Sequence, residues 1–176
     1  MGDVYRFYEI NPDVVEIAQR YFTYLSDTHA SVETVLGDGR IALEREPTQR
    51  FDVLVLDAFS GDAVPAHLLT VEALDIYLEH LVPQGALAIH ISNRHIDLFP
   101  VVARLCLRME LNWKHVKTRM EFGHGSGYCE WVVISRDAQW LDARWSDAEL
   151  NAMPEGVDDL PVWTDNYSNI LGALRQ

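Results

Sequence analysis

The sequence predicts an α/β domain built on a mostly parallel sheet with helices on both faces, and two observations carry that prediction. Segments with strand and with helix patterning alternate along the chain through short turns, the layout of a sheet covered by its own crossover helices. The run FDVLVLDAF, residues 51–59, is almost continuously apolar, as a parallel strand covered on both faces must be. A chain of 176 residues fits a single domain over residues 1–176. A domain of that size buries roughly 70% of its unfolded surface and needs no disulfide to hold it.

The first strand is read at residues 4–10, VYRFYEI. Asn11-Pro12 then opens a helix, with Asn as the N-cap and Pro at the first helical position. Val14, Ala18, Tyr21, Phe22 and Leu25 recur at helical spacing, so this helix is expected to reach about Leu25 and to bury that face against the sheet. Ser31–Leu36 is a second strand stopped by Gly37-Asp38-Gly39, and a short helix follows from Arg40 to about Arg45. After the apolar strand, a loop with Gly61, Asp62 and Pro65 leads to Thr70, which caps a helix with Ala73, Leu74, Tyr77, Leu78 and Leu81 on its inner face. Pro83 and Gly85 are expected to end it. ALAIHIS, residues 86–92, is the next buried strand, followed by a helix from about Leu98 to Glu110 and by strands near Trp113–Thr118 and Tyr128–Ser135. FGHGSGY, residues 122–128, reads as a loop, and the acidic stretch from about 137 to 176 as mostly loop.

Composition narrows the function. Lys and Arg number 14 against 27 Asp and Glu, a formal charge of −13 that repels a phosphate backbone, so nucleic acid is not an expected partner. No apolar run approaches the ~18 residues of a membrane span, and the N-terminus lacks a basic region followed by an apolar stretch. A soluble chain in the cytoplasm is the default expectation. Cys106 and Cys129 lack the spacing of a zinc or redox site and are expected as reduced core thiols. His90 and His95 have no third ligand placed with them, so no metal is expected, and His90 reads as an ordinary strand residue.

Ligands of open parallel sheets bind beyond the carboxyl ends of the strands, and three acids fall there: Glu9, Asp38 and Asp57. Glu9 at a strand end can accept hydrogen bonds from both hydroxyls of a ribose, or it can be a solvated turn residue. Asp38 between two glycines can accept from an exocyclic amine of a flat ring that the backbone approaches closely, although Asp-Gly is also a common turn. Asp57 follows a dry strand, and with Asp62 it makes a two-carboxylate pocket suited to an amine.

These positions, in the segments FYEINPDVVEIAQRYF, VLGDGRIAL, FDVLVLDAFSGDAVPAHLLT, GALAIHISNRHIDL and VWTDNYSNIL, resemble the spermidine synthase family and its bacterial relatives fused to transporter domains. The resemblance implies a Rossmann-like fold of the S-adenosylmethionine-dependent methyltransferase type. It implies decarboxylated S-adenosylmethionine as co-substrate, methylthioadenosine as product, a polyamine partner and no metal. Glu9 and Ile10 would meet the ribose, Asp38 and Gly39 the adenine, and Asp57 and Ala58 the reacting end, with Asp57 taking the proton from the attacking amine. Asp62, Asp165 and Tyr167 would position the amine. The family's first strand and Gly-rich loop have no counterpart ahead of Val4 in this sequence. The implied topology puts that strand at the sheet centre, between Val4–Ile10 and Phe51–Leu56, so a homodimer that shares the open edges is expected. Two other functions stay open: a methyltransferase on the same fold, which needs no acid pocket for an amine, and a nucleoside-binding module without turnover.

Overall fold

The computed structural model describes residues 2–58, 65–122, 125–145 and 153–174, with the backbone alone for those of residues 120–127 that it includes. The chain forms two compact units, Met1–Pro47 and Thr48–Gln176.

The first unit runs β1 (Val4–Glu9), α1 (Pro12–Tyr21), α2 (Tyr24–Asp27), β2 (Ser31–Leu36) and α3 (Gly39–Arg45). β1 and β2 pair in parallel from Val4↔Ser31 to Glu9↔Leu36. Asn11 caps α1 by accepting the Asp13 N–H at 2.9 Å, with Pro12 beginning the helix as the sequence predicts. The helix stops at Tyr21, short of the expected Leu25. Phe22 turns extended, its ring set edge-on to Tyr24, and the Thr23 carbonyl accepts the N–H groups of Ser26 and Asp27 to start a new turn. The apolar face of α1 is also less covered than expected, since Val14, Ile17 and Tyr21 are exposed and no residue of the helix is buried. Two strands set about 5 Å apart are too narrow a platform to cover a helix face.

Polar bonds tie this unit together. Arg6 on β1 contacts Glu33 on β2 at 2.6 Å and Glu46, just after α3, at 2.7 Å; the Tyr8 hydroxyl donates to Glu46 at 2.9 Å. Burial, and next the bond to Glu46, push the Tyr8 phenol up to about 12. Tyr8 also fixes where α3 begins: a Cβ on Gly39 would lie 3.2 Å from the Tyr8 Cβ, so the helix start approaches β1 this closely because residue 39 has no side chain.

The second unit contains β3 (Phe51–Leu56), α4 (Val71–Glu79), β4 (Leu81–His90), α5 (Phe99–Arg108), β5 (Asn112–Phe122), β6 (Gly125–Ser135) and α6 (Ala138–Arg144). Its sheet has the order β3-β4-β6-β5, with β3 parallel to β4 and β6 antiparallel to both β4 and β5. The sheet is thus mixed, parallel on one side and a long hairpin on the other. Leu87, Ile89, Val132 and Ile134 are fully buried with Ala73, Leu74 and Tyr77 of α4 and Val102, Leu105 and Cys106 of α5. Each large side chain so buried contributes about 1.5–3 kcal/mol, which makes this unit the chain's main core.

Three sequence expectations change here. β3 is covered on one face only: Leu54 is buried, whereas Val53 and Val55, which point the opposite way, are 54% and 57% exposed. α4 ends at Glu79, and Pro83 and Gly85 lie within β4 instead of in a loop. The ladder steps from Phe51↔Leu81 to Val53↔Ala86, which leaves Pro83 outside regular pairing. A Cβ on Gly85 would come within 3.0 Å of the Phe51 and Val82 carbonyls. Finally, Gly125–Tyr128 are in the β6 ladder, not a loop, because pairing with β5 overrides the weak strand preference of glycine. Among its described residues the acidic C-terminal stretch contains α6, capped by Asp137, and short 3₁₀ turns.

Among the described residues β1 has β2 as its one strand partner and β3 has β4. Each therefore keeps one edge of N–H and C=O groups without a strand against it.

Candidate functional site

In the first unit the predicted acids come together. Glu9 ends β1 opposite Leu36, and its carbonyl accepts the Gly37 N–H at 2.9 Å, which brings the turn that carries Asp38 to the same end of the strand pair. The Glu9 Oε1 accepts the Asn11 N–H at 2.8 Å, while Oε2 has no partner among the described residues. The Asp38 Oδ1 accepts the Ile41 N–H at 3.0 Å and so caps α3. Ile10 is exposed, and Gly39 is the first residue of α3.

In the second unit Asp57 follows β3 directly and Ala58 is exposed beside it. The Asp57 carboxylate is half-exposed, and its Oδ1 lies 2.7 Å from Nδ1 of His90, the last residue of β4. The His90 ring stacks on Trp131 with centroids 4.7 Å apart, and the Trp131 indole donates to the Cys129 sulfur at 3.0 Å. His90 is therefore the functional candidate that sequence reasoning missed. The available signal was the alternation in ALAIHIS, which puts His90 and Ser92 on one face at the end of the strand beside β3. Cys129 is half-buried next to this histidine, whereas Cys106 is a core thiol pushed up to about 12 by burial.

Asp62 lies outside the described residues. The Asp165 Oδ1 accepts the Thr70 hydroxyl at 2.9 Å and its N–H donates to Glu72 at 3.1 Å, which ties it to the start of α4. Tyr167 closes the same turn through a pair of backbone bonds with Thr164, 2.8 and 3.0 Å long, and its ring is exposed. A cavity of about 290 Å³ lies elsewhere in this unit, lined by Asp97, Val101, Trp163 and Asn169 among others, and none of the predicted site residues lines it. Among the described residues no cluster of His, Cys, Asp or Glu could hold a metal, and no helix is long and apolar enough to cross a membrane.

The fold is Rossmann-like α/β, with Glu9 and Asp38 in the first unit and Asp57 in the second each at the carboxyl end of a parallel strand. In both sequence and fold the chain resembles the spermidine synthases. A polyamine aminopropyltransferase of Vibrio vulnificus is 41% identical over 68 residues, 38% of this chain and 22% of that protein. A spermidine synthase of Thermotoga maritima superposes with a TM-score of 0.56 at 18% identity, over 89% of this chain and 57% of its own. A probable spermidine synthase of Corynebacterium glutamicum gives the same TM-score and identity over 74% and 46%. A spermidine synthase in complex with the transition-state analogue AdoDATO gives a TM-score of 0.54 at 18% identity. The chain thus spans about a fifth of the curated relative and about half of the solved structures. No protein-family profile matches it.

Proposed function

We propose that the chain carries the nucleoside and amine sites of an aminopropyltransferase that moves an aminopropyl group from decarboxylated S-adenosylmethionine to an amine such as putrescine. The observation that carries this reading is Asp57, a half-exposed carboxylate at the end of β3 with one oxygen held by His90 and the other unpartnered among the described residues. The amine nitrogen attacks the carbon next to the sulfonium and a C–N bond forms. The C–S bond breaks and its electron pair goes to sulfur, leaving neutral methylthioadenosine. The proton released by the amine goes to Asp57. Alignment of the two reactants and removal of that proton supply most of the acceleration.

Glu9 and Ile10 take the ribose in this reading, Asp38 and Gly39 the adenine, and Ala58 flanks the reacting centre. Asp62, Asp165 and Tyr167 hold the far ammonium of the polyamine, a contact suited to carboxylates. Polyamine synthesis in the cytoplasm is the process it would serve. A second reading, a nucleoside-binding module without turnover, draws support from the open edges of β1 and β3 and the thin core of the first unit. Methylthioadenosine release from decarboxylated S-adenosylmethionine and putrescine separates the two. Release that depends on putrescine is expected; binding of methylthioadenosine without any release would refute the enzyme reading.

A further inference from the structure

The Asp57–His90 contact belongs to a longer chain of hydrogen bonds whose direction is set at Asp57. The Glu130 backbone N–H lies 2.7 Å from the Ser92 Oγ, and an N–H can only donate. That bond occupies one lone pair of the hydroxyl, whose proton and second lone pair are both left for the His90 Nε2, also 2.7 Å away. A carboxylate that is to take a proton can only accept, so Nδ1 carries the ring proton and donates it to the Asp57 Oδ1 at 2.7 Å. The opposite tautomer would set the Nδ1 lone pair against a carboxylate oxygen. The ring plane is held as well, stacked on Trp131, whose indole N–H is directed to Cys129. The Cys129 sulfur is 3.8 Å from Nε2, too far to compete with Ser92.

We propose that His90 is the positioning residue for Asp57, donating from Nδ1 while Ser92 and the stack on Trp131 hold its ring, so that the carboxylate presents Oδ2 to the incoming amine. This rests on the reading of Asp57 as the proton acceptor. Without the imidazole, a carboxylate with a half-exposed side chain rotates freely, and the proton-accepting oxygen is seldom aligned with the amine.

The test combines nitrogen NMR on histidine-labelled protein with kinetics. At slightly alkaline pH, His90 is expected to show a protonated Nδ1 and an unprotonated Nε2, and Asp57→Ala is expected to mix the tautomers. His90→Ala should lower kcat about ten- to a hundredfold, the scale of one hydrogen bond to a charged group, with little change in the KM for the amine. His90→Asn retains an N–H near the Nδ1 position and should recover part of that loss, although it loses the stack on Trp131 as His90→Ala does. A protonated Nε2 in the wild type would overturn the proposal. So would equal kcat for the two His90 variants when both melt near the wild-type temperature. A wild type with the expected tautomer and no turnover would instead remove Asp57 as proton acceptor, and this role of His90 with it.

Discussion

Replacing Asp57 by Asn removes the proposed proton acceptor and changes little else, which makes it the most informative single substitution. The two side chains have the same shape, and the amide oxygen can still accept the His90 Nδ1–H now found 2.7 Å from Oδ1. What changes in that bond is its charge. A hydrogen bond to a charged group contributes about 1.5–3 kcal/mol and a neutral one about 0.5–1.5. The stability cost is therefore at most about 1–2 kcal/mol, and less after solvent screening of a half-exposed carboxylate. For a chain of this size that corresponds to a melting shift of only a few degrees, about 2–4 °C per kcal/mol. Loss of the base should lower turnover by about 10²–10⁴, or roughly 2.7–5.5 kcal/mol in the barrier. Activity should thus collapse in a protein that stays folded, as read by methylthioadenosine release alongside a thermal melt. A variant with turnover within tenfold of wild type would refute the assignment of Asp57.

Glu9→Ala should weaken methylthioadenosine binding about ten- to a hundredfold by calorimetry, the value of one charged hydrogen bond; unchanged affinity would remove Glu9 from the site. The open edges of β1 and β3, with Val53 and Val55 exposed, are expected to be covered by a second copy, because unpaired backbone groups on a dry strand cost about 1–3 kcal/mol each. Light scattering at micromolar concentration should report twice the chain mass, and a cooperatively melting monomer would contradict this. Glu130 gives a pH signature. Burial alone would raise its carboxyl, but Lys117 at 2.8 Å and His115 at 3.3 Å outweigh burial and hold it below the usual carboxylate range. Its stabilising effect is present above the unfolded value of about 4.3 and is lost as pH falls through the lower folded value. Melts on descending pH should show wild type losing its advantage over Glu130→Gln in that window; parallel curves would assign the acid sensitivity to another group.

Much of the arrangement was legible along the chain because it is local. Asn11-Pro12 starts α1, Thr70 caps α4 and Asp38 caps α3 through groups two or three residues away, so short-range chemistry is enough to place them. The rule that ligands gather at strand ends picked out Glu9, Asp38 and Asp57 from strand pattern alone, and all three fall there. The same pattern could not tell how many sides of a strand are covered. Val53 and Val55 look like core in a run of apolar residues, yet their exposure depends on which elements lie over that face. Nor could it pair residues distant in sequence. His90 meets Asp57 because β3 and β4 are parallel neighbours in a register that sets Leu56 beside Ile89, and its ring stacks on Trp131 of β6, a strand that arrives antiparallel on the other side of β4. The sequence by itself determined the acids and the strand ends that carry them, since strand periodicity and capping are properties of adjacent residues. Only the tertiary structure decided which side chain meets Asp57, because strand order and register are fixed by contacts between segments that the chain keeps far apart.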